Sequence, residues 1–291
     1  MKIIKKITFQ LQRVFKKLER IAFPVLEENV ETTMLVQSEL LKRSLLNNPK
    51  YLEPNRLELH GFKVYSQNDE DGIIQEIFKR IGTTSKIFIE FGIGNGMETN
   101  TLYLLMQGWK GYWIDGNPTF VSHTKKVFKR AIDRGQLFVE ESFITKDNID
   151  SLLGKYFTGE IDLLSIDIDG NDYYVWENIK CINPRVVIVE YNAKFPPPCS
   201  FIMEYNETHH WDESDKMGMS LQAATDLGDS LGYQLVGTNL NGVNAFFVRK
   251  DIIRGKESAL FPLPATAENL YNPAHYYLPF RGGHPARHFL G

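Results

Sequence analysis

The feature that most constrains this chain is an apolar run that ends in closely spaced glycines, between Lys86 and Thr101. Residues 86–89 (KIFI) predict a short buried parallel strand. Three glycines follow at alternate positions, namely Gly92, Gly94 and Gly96. They lack a Cβ atom, so the backbone can adopt positive φ and a ligand can approach it closely. Residues 99–107 predict the next helix, and this order of strand, turn and helix predicts a nucleotide-binding unit.

The glycine spacing distinguishes between two cofactor classes. A dinucleotide fingerprint requires a small residue at its third glycine position, and here that position is Met97. The chain instead has an acidic residue followed by glycines at alternate positions, which resembles the first motif of class I S-adenosylmethionine (SAM) methyltransferases. The resemblance implies that Glu90 lies near the methionine amino group and that the glycines pass beneath the cofactor. A glycine-rich turn without a ligand is the alternative.

The rest of the chain predicts an α/β fold. Further strands are expected over 109–117, 136–140, 161–172 and 185–192, a hairpin over 233–238 and 244–249, and a short strand over 62–65. Helices are expected over 73–81, 120–132, 173–179 and 221–231. Together these segments predict a class I methyltransferase (Rossmann-like) sandwich. Its sheet is mostly parallel and seven-stranded, with an antiparallel C-terminal hairpin, and helices are added at the amino terminus.

Several polar residues at strand ends are candidates for binding the cofactor. Asp115 ends the second strand about twenty residues after the glycine turn, where a carboxylate can accept hydrogen bonds from both ribose hydroxyls. An Asp that only forms a turn is the alternative. Ser142 and Phe143 follow the third strand, where methyltransferases hold the adenine. Thr99 and Asp167 are further candidates beside the glycine turn and the fourth strand.

Residues 66–71 (SQNDED) provide a second resemblance. They are similar to the Ser-Gln-x-x-Glu-Asp segment that precedes the first strand in FkbM-type methyltransferases, and the likeness extends over residues 65–250. The resemblance implies O-methylation of a sugar, nucleotide sugar or glycan, and it adds Gln67 to the cofactor-binding candidates. Helix capping by Ser66 or Asp69 accounts for the same residues without any ligand.

Acidic and amide side chains concentrate at the predicted ends of the fourth and fifth strands. Asp167 and Asp169 are two apart, as are Glu190 and Asn192, so each pair is expected on one side of its strand. Asp169, Glu190 and Asn192 offer the oxygen ligands that Mg²⁺ or Mn²⁺ prefers. This set is similar to that of metal-dependent O-methyltransferases, although Glu-Tyr-Asn replaces their Asp-Asn pair. A metal-free polar pocket in which Asp169 orients substrate or cofactor is the alternative.

The segment 193–220 carries the candidates for a general base. It is rich in prolines, aromatics and acids, which is typical of an ordered functional loop. His209 and His210 can each remove a hydroxyl proton near neutral pH. Together with Asp167 and Asp169 they are the catalytic candidates. A surface histidine pair without a role is the alternative.

The amino terminus differs from the rest of the chain. Residues 1–23 predict an amphipathic helix with seven basic residues and one acidic residue, a formal charge of +6. It predicts either a coiled-coil or docking helix that builds a homo-oligomer, which we favour, or a helix lying on an anionic membrane surface. A second helix is expected over 31–46. The predicted domains are a helical extension (1–50), a catalytic domain (57–250) and an extended tail (251–291).

Composition limits the partners and the compartment. A net charge of −3 over 291 residues gives no basic field for nucleic acid. Two cysteines are too few for a disulfide framework, which favours a reducing compartment. Without an apolar run of about eighteen residues or a signal peptide, we expect a cytoplasmic protein, with the inner membrane surface as an option. An NAD(P)-dependent oxidoreductase and a catalytically inactive SAM-fold interaction protein are the alternative functions.

Overall fold

The computed structural model describes residue 30, residues 32–210 and residues 214–278. The chain divides into two compact units, residues 1–48 and residues 49–291. In the first unit, residues 32–46 are helical, which confirms the helix predicted there. The basic segment 1–23 lies outside the described residues, so its oligomer and membrane alternatives stay predictions. Among the helices described, none combines the length and the low polarity that crossing a bilayer requires.

The second unit is built on one seven-stranded sheet. Its strands are β1 (Ile87–Phe91), β2 (Lys110–Asp115), β3 (Leu137–Glu141), β4 (Gly159–Ile166), β5 (Ile182–Glu190), β6 (Tyr233–Thr238) and β7 (Asn244–Arg249). They lie in the order β3-β2-β1-β4-β5-β7-β6. The first five are parallel, and β7 runs antiparallel to both β5 and β6. This arrangement confirms the predicted mixed sheet with a C-terminal hairpin.

Helices follow most of the strands. They are α1 (Glu70–Ile81), α2 (Leu102–Met106), α3 (Pro118–Val127), α4 (Lys129–Asp133), α5 (Ile149–Leu153), α6 (Asp172–Asn178) and α7 (Leu221–Ser230). The helix predicted over 120–132 is therefore two helices separated at Phe128. The prediction of a short strand over residues 62–65 is wrong, because these residues form no strand in the structure. The backbone N–H groups of Val64 and Tyr65 donate to the Asp71 carboxylate rather than to a neighbouring strand.

Side chains from both faces of the sheet are buried. Ile89, Leu164 and Val187 pack on one face, while Phe88, Leu163 and Ile188 pack on the other. Because helices cover a parallel sheet on both sides, its strands are continuously apolar rather than alternating. Polar residues are consequently concentrated where these strands end.

The predicted extended tail is partly helical in the structure. Up to residue 278, where the described part ends, it contains three helices of one turn each, α8 (Lys250–Ile253), α9 (Glu257–Leu260) and α10 (Ala267–Leu270). Beyond them, Asn272 is fully buried; it accepts a hydrogen bond from Tyr51 Oη at 2.6 Å and donates to Glu58 Oε1 at 3.1 Å. Tyr191 Oη donates to its backbone carbonyl at 2.7 Å. The tail is therefore hydrogen-bonded to residues near the start of the same unit.

Candidate functional site

Two cavities lie at the carboxyl ends of the central parallel strands. The first, here called the wide cavity, has a volume of about 480 Å³ and reaches from the glycine turn to His209 and His210. The second, here called the acidic cavity, has a volume of about 390 Å³ and is lined by the carboxylates of Glu90, Glu98, Asp167, Asp169 and Glu190. The two cavities share four lining residues, namely Gly92, Gly94, Asp167 and Asp169. Open α/β sheets bind their ligands at this edge.

The glycine turn is held close to the end of β4. Gly92 has φ of 69°, and a Cβ at that position would lie 1.6 Å from the backbone oxygen of Asp167. No other residue type fits there without moving the backbone. Gly94 also has positive φ and lines both cavities. Gly96, predicted to contact the cofactor, lines neither cavity. A Cβ there would lie 3.1 Å from the side chains of Thr124 in α3 and of Phe128, which follows α3.

Glu90 lies beneath the turn and is 4% exposed. One of its carboxylate oxygens accepts a hydrogen bond from Asn100 N at 2.7 Å, and the other accepts from Thr101 N and Thr101 Oγ1. These bonds hold the segment that leads into α2. Burial raises the pKa of Glu90 to about 7 in spite of them. Glu90 lines the acidic cavity, and its contact with the methionine end of a cofactor stays a prediction.

Asp115, Ser142 and Phe143 all line the wide cavity. Asp115 Oδ2 accepts from Gly94 N at 2.8 Å, and its Oδ1 accepts from Asn117 N at 2.7 Å. Each oxygen keeps a further acceptor position, because a carboxylate has about four. Burial raises the pKa of Asp115, while these two backbone donors lower it. The carboxylate thus shapes the glycine turn and still borders the cavity.

Gln67 and Thr99 line the acidic cavity. Thr99 is buried, and its Oγ1 accepts a hydrogen bond from Leu102 N at 3.0 Å at the start of α2. Gln67 is exposed and precedes the buried residues that begin α1. Both residues therefore line the same cavity as Glu90, whereas Ser142 and Phe143 line the wide cavity.

The fourth strand ends earlier than predicted, at Ile166, and a tight loop carries the acids. Asp172 shapes this loop, since its carboxylate accepts from Ile168 N at 3.0 Å and from Gly170 N at 2.9 Å. Asp169 has φ of 55°, an uncommon conformation for a residue other than glycine. Asp167 and Asp169 still come together, but through this loop rather than through strand alternation.

Asp167, Asp169 and Glu190 form the densest group of carboxylates in the described chain, with one oxygen from each within 4.8 Å of the others. Burial raises the pKa of all three. The charges of neighbouring acids raise the pKa of Asp167 and Glu190 further, whereas His209 opposes the rise at Asp169. The described residues donate no hydrogen bond to the three carboxylates, and a bound proton or cation would lower the repulsion between them.

Asn192, the third predicted metal ligand, does not line the acidic cavity. Its Nδ2 donates to the backbone oxygens of Asp215 and Met217, and its Oδ1 accepts from Lys194 N at 3.1 Å. Asn244 lines the cavity instead. Sequence reasoning missed this residue, although it begins the predicted second strand of the hairpin.

The two histidines lie at different places on the wide cavity. His209 is half-buried, and its Nε2 is 3.0 Å from the backbone oxygen of Asp169. Because a carbonyl oxygen only accepts, Nε2 carries the proton and Nδ1 of a neutral ring is left to take another. His210 is exposed, with its ring centroid 5.4 Å from that of Phe143. His209 is thus the histidine joined to the acidic loop.

No protein family and no curated protein matches the sequence. Among solved structures, the chain is similar to the methyltransferase domain of bacterial CtHen1, with 16% identity over 62% of this chain and 97% of that chain and a TM-score of 0.40. It is also similar to an O-methyltransferase from Bacillus cereus in complex with SAH (12% identity, 56% and 67% of the chains, TM-score 0.32). A third is a SAM-dependent methyltransferase from Clostridium acetobutylicum (8% identity, 60% and 89%, TM-score 0.39). These similarities are low, so function is inferred from the chain's own residues.

Proposed function

We infer that the chain is a SAM-dependent methyltransferase that transfers a methyl group to a hydroxyl of a small polar acceptor. The observation that carries this inference is the pair of adjoining cavities that meet at the glycine turn. The wide cavity offers Asp115 for the ribose and Phe143 for the adenine. Glu90, in the acidic cavity, is suited to an ammonium or sulfonium group and unsuited to a pyrophosphate.

A sugar, nucleotide sugar or glycan is the acceptor that we propose. Support comes from the resemblance of residues 66–71 to FkbM-type enzymes and from the lining of the acidic cavity. Its carboxylates accept hydrogen bonds from hydroxyl groups, and the amides of Gln67, Asn95 and Asn100 both donate and accept. The diphosphate of a nucleotide sugar would have to lie away from these carboxylates or share a cation with them.

Methyl transfer from a sulfonium is an in-line displacement in which the acceptor oxygen attacks the methyl carbon and loses its proton. The protein must hold that oxygen at near-attack distance and provide a base. We assign the base to His209, because its Nε2 is hydrogen-bonded to the backbone oxygen of Asp169 and its Nδ1 forms no hydrogen bond with the described residues. Asp169 borders both cavities and is placed to orient the acceptor.

Asp167, Asp169 and Glu190 also fit a divalent cation such as Mg²⁺ or Mn²⁺. They supply oxygen ligands only, they lie within 4.8 Å of one another, and the described residues leave them without hydrogen-bond donors. A cation bound there would lower the pKa of a coordinated hydroxyl and help to orient it. These three residues would hold it.

Calorimetry and a turnover assay test the proposed activity. We expect saturable binding of SAM and S-adenosylhomocysteine and none of NAD. With methyl-labelled SAM, a panel of sugars and nucleotide sugars should include an acceptor, and EDTA should abolish the turnover until Mg²⁺ or Mn²⁺ is added. Binding of NAD in place of SAM would contradict the methyltransferase assignment. Turnover that survives exhaustive chelation would contradict the proposed cation and leave the methyltransferase assignment unaffected.

The role of His209 is tested by replacement with alanine. Loss of a general base should lower kcat by about 10²–10⁴-fold while the SAM dissociation constant stays the same. His123→Ala is the matched control, because His123 is exposed and lies outside both cavities. An unchanged kcat in His209→Ala, or an equal loss in His210→Ala, would contradict the assignment.

A further inference from the structure

Asn244 is a buried amide on the wall of the acidic cavity. It is the first residue of β7 and pairs with Glu190 of β5 in antiparallel register. Directly opposed residues of this kind have Cβ atoms about 4.5–5.5 Å apart on the same face of the sheet. Asn244 is 3% exposed and lines the cavity together with Glu190, Asp167 and Asp169.

A hydrogen bond to Glu70 fixes the orientation of the Asn244 amide. The Glu70 side chain is fully buried, and its Oε1 accepts from Asn244 Nδ2 at 3.0 Å and from Asn239 Nδ2 at 2.8 Å. Its Oε2 accepts from Asn68 N at 2.8 Å. An ionised carboxylate only accepts hydrogen bonds, so the nitrogen of Asn244 must face Glu70. Asn244 Oδ1 is thereby directed to the other side.

Asn244 Oδ1 is left without a hydrogen-bond partner among the described residues. A buried, unpaired amide oxygen is unfavourable, and native proteins keep few of them. In this chain the unpaired oxygen belongs to a residue that borders three carboxylates, which themselves receive no hydrogen bond from the described residues. The carboxylates lack an opposite charge, and the amide oxygen lacks a donor or a cation. These are separate observations, and a single cation would account for both.

We propose that Asn244 Oδ1 is the fourth protein ligand of a divalent cation held by Asp167, Asp169 and Glu190, and that Glu70 is the positioning residue for it. A neutral amide oxygen adds a ligand without adding charge to a site that already carries three carboxylates. Asn192 cannot take this role in the observed conformation, because its oxygen and nitrogen are both bound to the loop. The proposal rests on the proposed function, since it completes the cation site described there.

The test is a titration with Mn²⁺ alone, in which free Mn²⁺ is followed by electron paramagnetic resonance without SAM or acceptor. Wild type should bind one Mn²⁺ ion, Asn244→Ala should weaken that binding at least about 10-fold, and Glu70→Gln should weaken it about 10-fold. Asn192→Ala is the matched control and should change the affinity less than about twofold. If Asn244→Ala does not fold, Asn244→Ser replaces it, since its hydroxyl is too short to reach the same point.

Calorimetry with SAM on the same samples separates this proposal from the proposed function. All variants should bind SAM with the wild-type affinity. Absence of saturable Mn²⁺ binding to wild type, or equal losses in Asn244→Ala and Asn192→Ala, would overturn the cation ligand while SAM binding leaves the methyltransferase assignment standing. Absence of SAM binding to wild type would overturn the proposed function itself.

Discussion

Carboxylates at the two ends of β4 and β5 differ in burial and in their hydrogen-bond partners: Asp162 is fully buried, whereas Asp167 and Glu190 are half-buried. Near the amino end, Asp162 of β4 is fully buried and accepts hydrogen bonds from Lys86 N at 2.6 Å, Thr84 N at 3.0 Å and the Arg185 guanidinium at 2.8 Å. Near the carboxyl end, Asp167 and Glu190 receive no hydrogen bond from the described chain, and burial raises the pKa of both. The carboxylate near the amino end has its hydrogen-bond donors within the fold. The carboxylates near the other end have no donor among the described residues.

The number of hydrogen-bond donors therefore distinguishes the acid that is enclosed in the fold from the acids that border the cavities. Asp162 has several backbone donors and a cation, Asp115 has two backbone donors and borders a cavity, and Glu190 has none. Burying a charge is unfavourable unless hydrogen bonds and an opposite charge compensate for it. Substitution should therefore lower the free energy of unfolding at Asp162, weaken ligand binding at Asp115 and raise the free energy of unfolding of the ligand-free protein at Glu190.

The largest effect is expected at Asp162. Replacing it with alanine leaves the buried Arg185 charge without its partner and should lower the free energy of unfolding by about 3–5 kcal/mol. Urea denaturation measures this loss. Asp147→Ala is the matched control, because Asp147 forms an exposed ion pair with Lys146 and should change stability by less than about 1 kcal/mol. Similar losses in both variants would contradict the comparison.

Substitution of Asp115 should affect both the glycine turn and the binding of SAM. Asp115→Ala removes two backbone contacts and the proposed ribose ligand, so SAM binding should weaken by about 1.5–3 kcal/mol for each charge-assisted hydrogen bond lost. Titration calorimetry measures the dissociation constant. Glu141→Ala is the control, since Glu141 is exposed at the end of β3 and lines neither cavity. An unchanged dissociation constant in Asp115→Ala would remove the ribose assignment.

Glu190→Gln should stabilise the protein that contains no ligand. The amide is nearly isosteric and removes one of three adjacent negative charges, so the melting temperature at pH 8 should rise, with a gain of about 1 kcal/mol. The gain should vanish at pH 4, because the pKa of Glu190 is raised and wild type is then protonated as well. A lower melting temperature at pH 8 would show that the ionised carboxylate stabilises the fold.

The smallest effect concerns Asp69, whose Oδ1 is buried without a partner. Burial and the charge of Glu70 raise the pKa of Asp69 to about 8. The folded protein therefore holds a proton that the unfolded chain releases near pH 4, so this contribution is fully present below pH 4 and is lost as pH rises toward 8. Between pH 7 and pH 8, wild type should lose about 1 kcal/mol more than Asp69→Asn. Equal pH dependence in urea denaturation would contradict this.

Local patterns predicted much of this molecule. The two hairpin strands have the predicted bounds, and the glycines occupy a turn that only glycine fits at Gly92. These features depend on alternation and on backbone freedom, which are properties of short segments. The same holds for Glu90, Asp115 and Asp167, which all border the cavities as their positions at strand ends indicate.

Pairing between distant segments could not be predicted in the same way. Asn192 was expected to share a side with Glu190 because the fifth strand was extended to residue 192. The strand ends at Glu190 instead, since Tyr191 N bonds to Val243 O at 2.8 Å and Asn192 N bonds to Met219 O at 2.7 Å. The amide beside Glu190 comes from Asn244, fifty-four residues away, through the register of β7. No periodicity within either segment contains that information.

The hydrogen bonds around Asn272 bear on whether the order of segments along the chain can be changed. They bring residues near the beginning of the second unit and near the end of its described part together, with Tyr51 Oη and Asn272 Oδ1 separated by 2.6 Å. Neighbouring ends allow circular permutation. A permuted chain, with Leu278 joined to Pro49 by a short flexible linker and new ends opened at the exposed Gly135, should keep the sheet and both cavities.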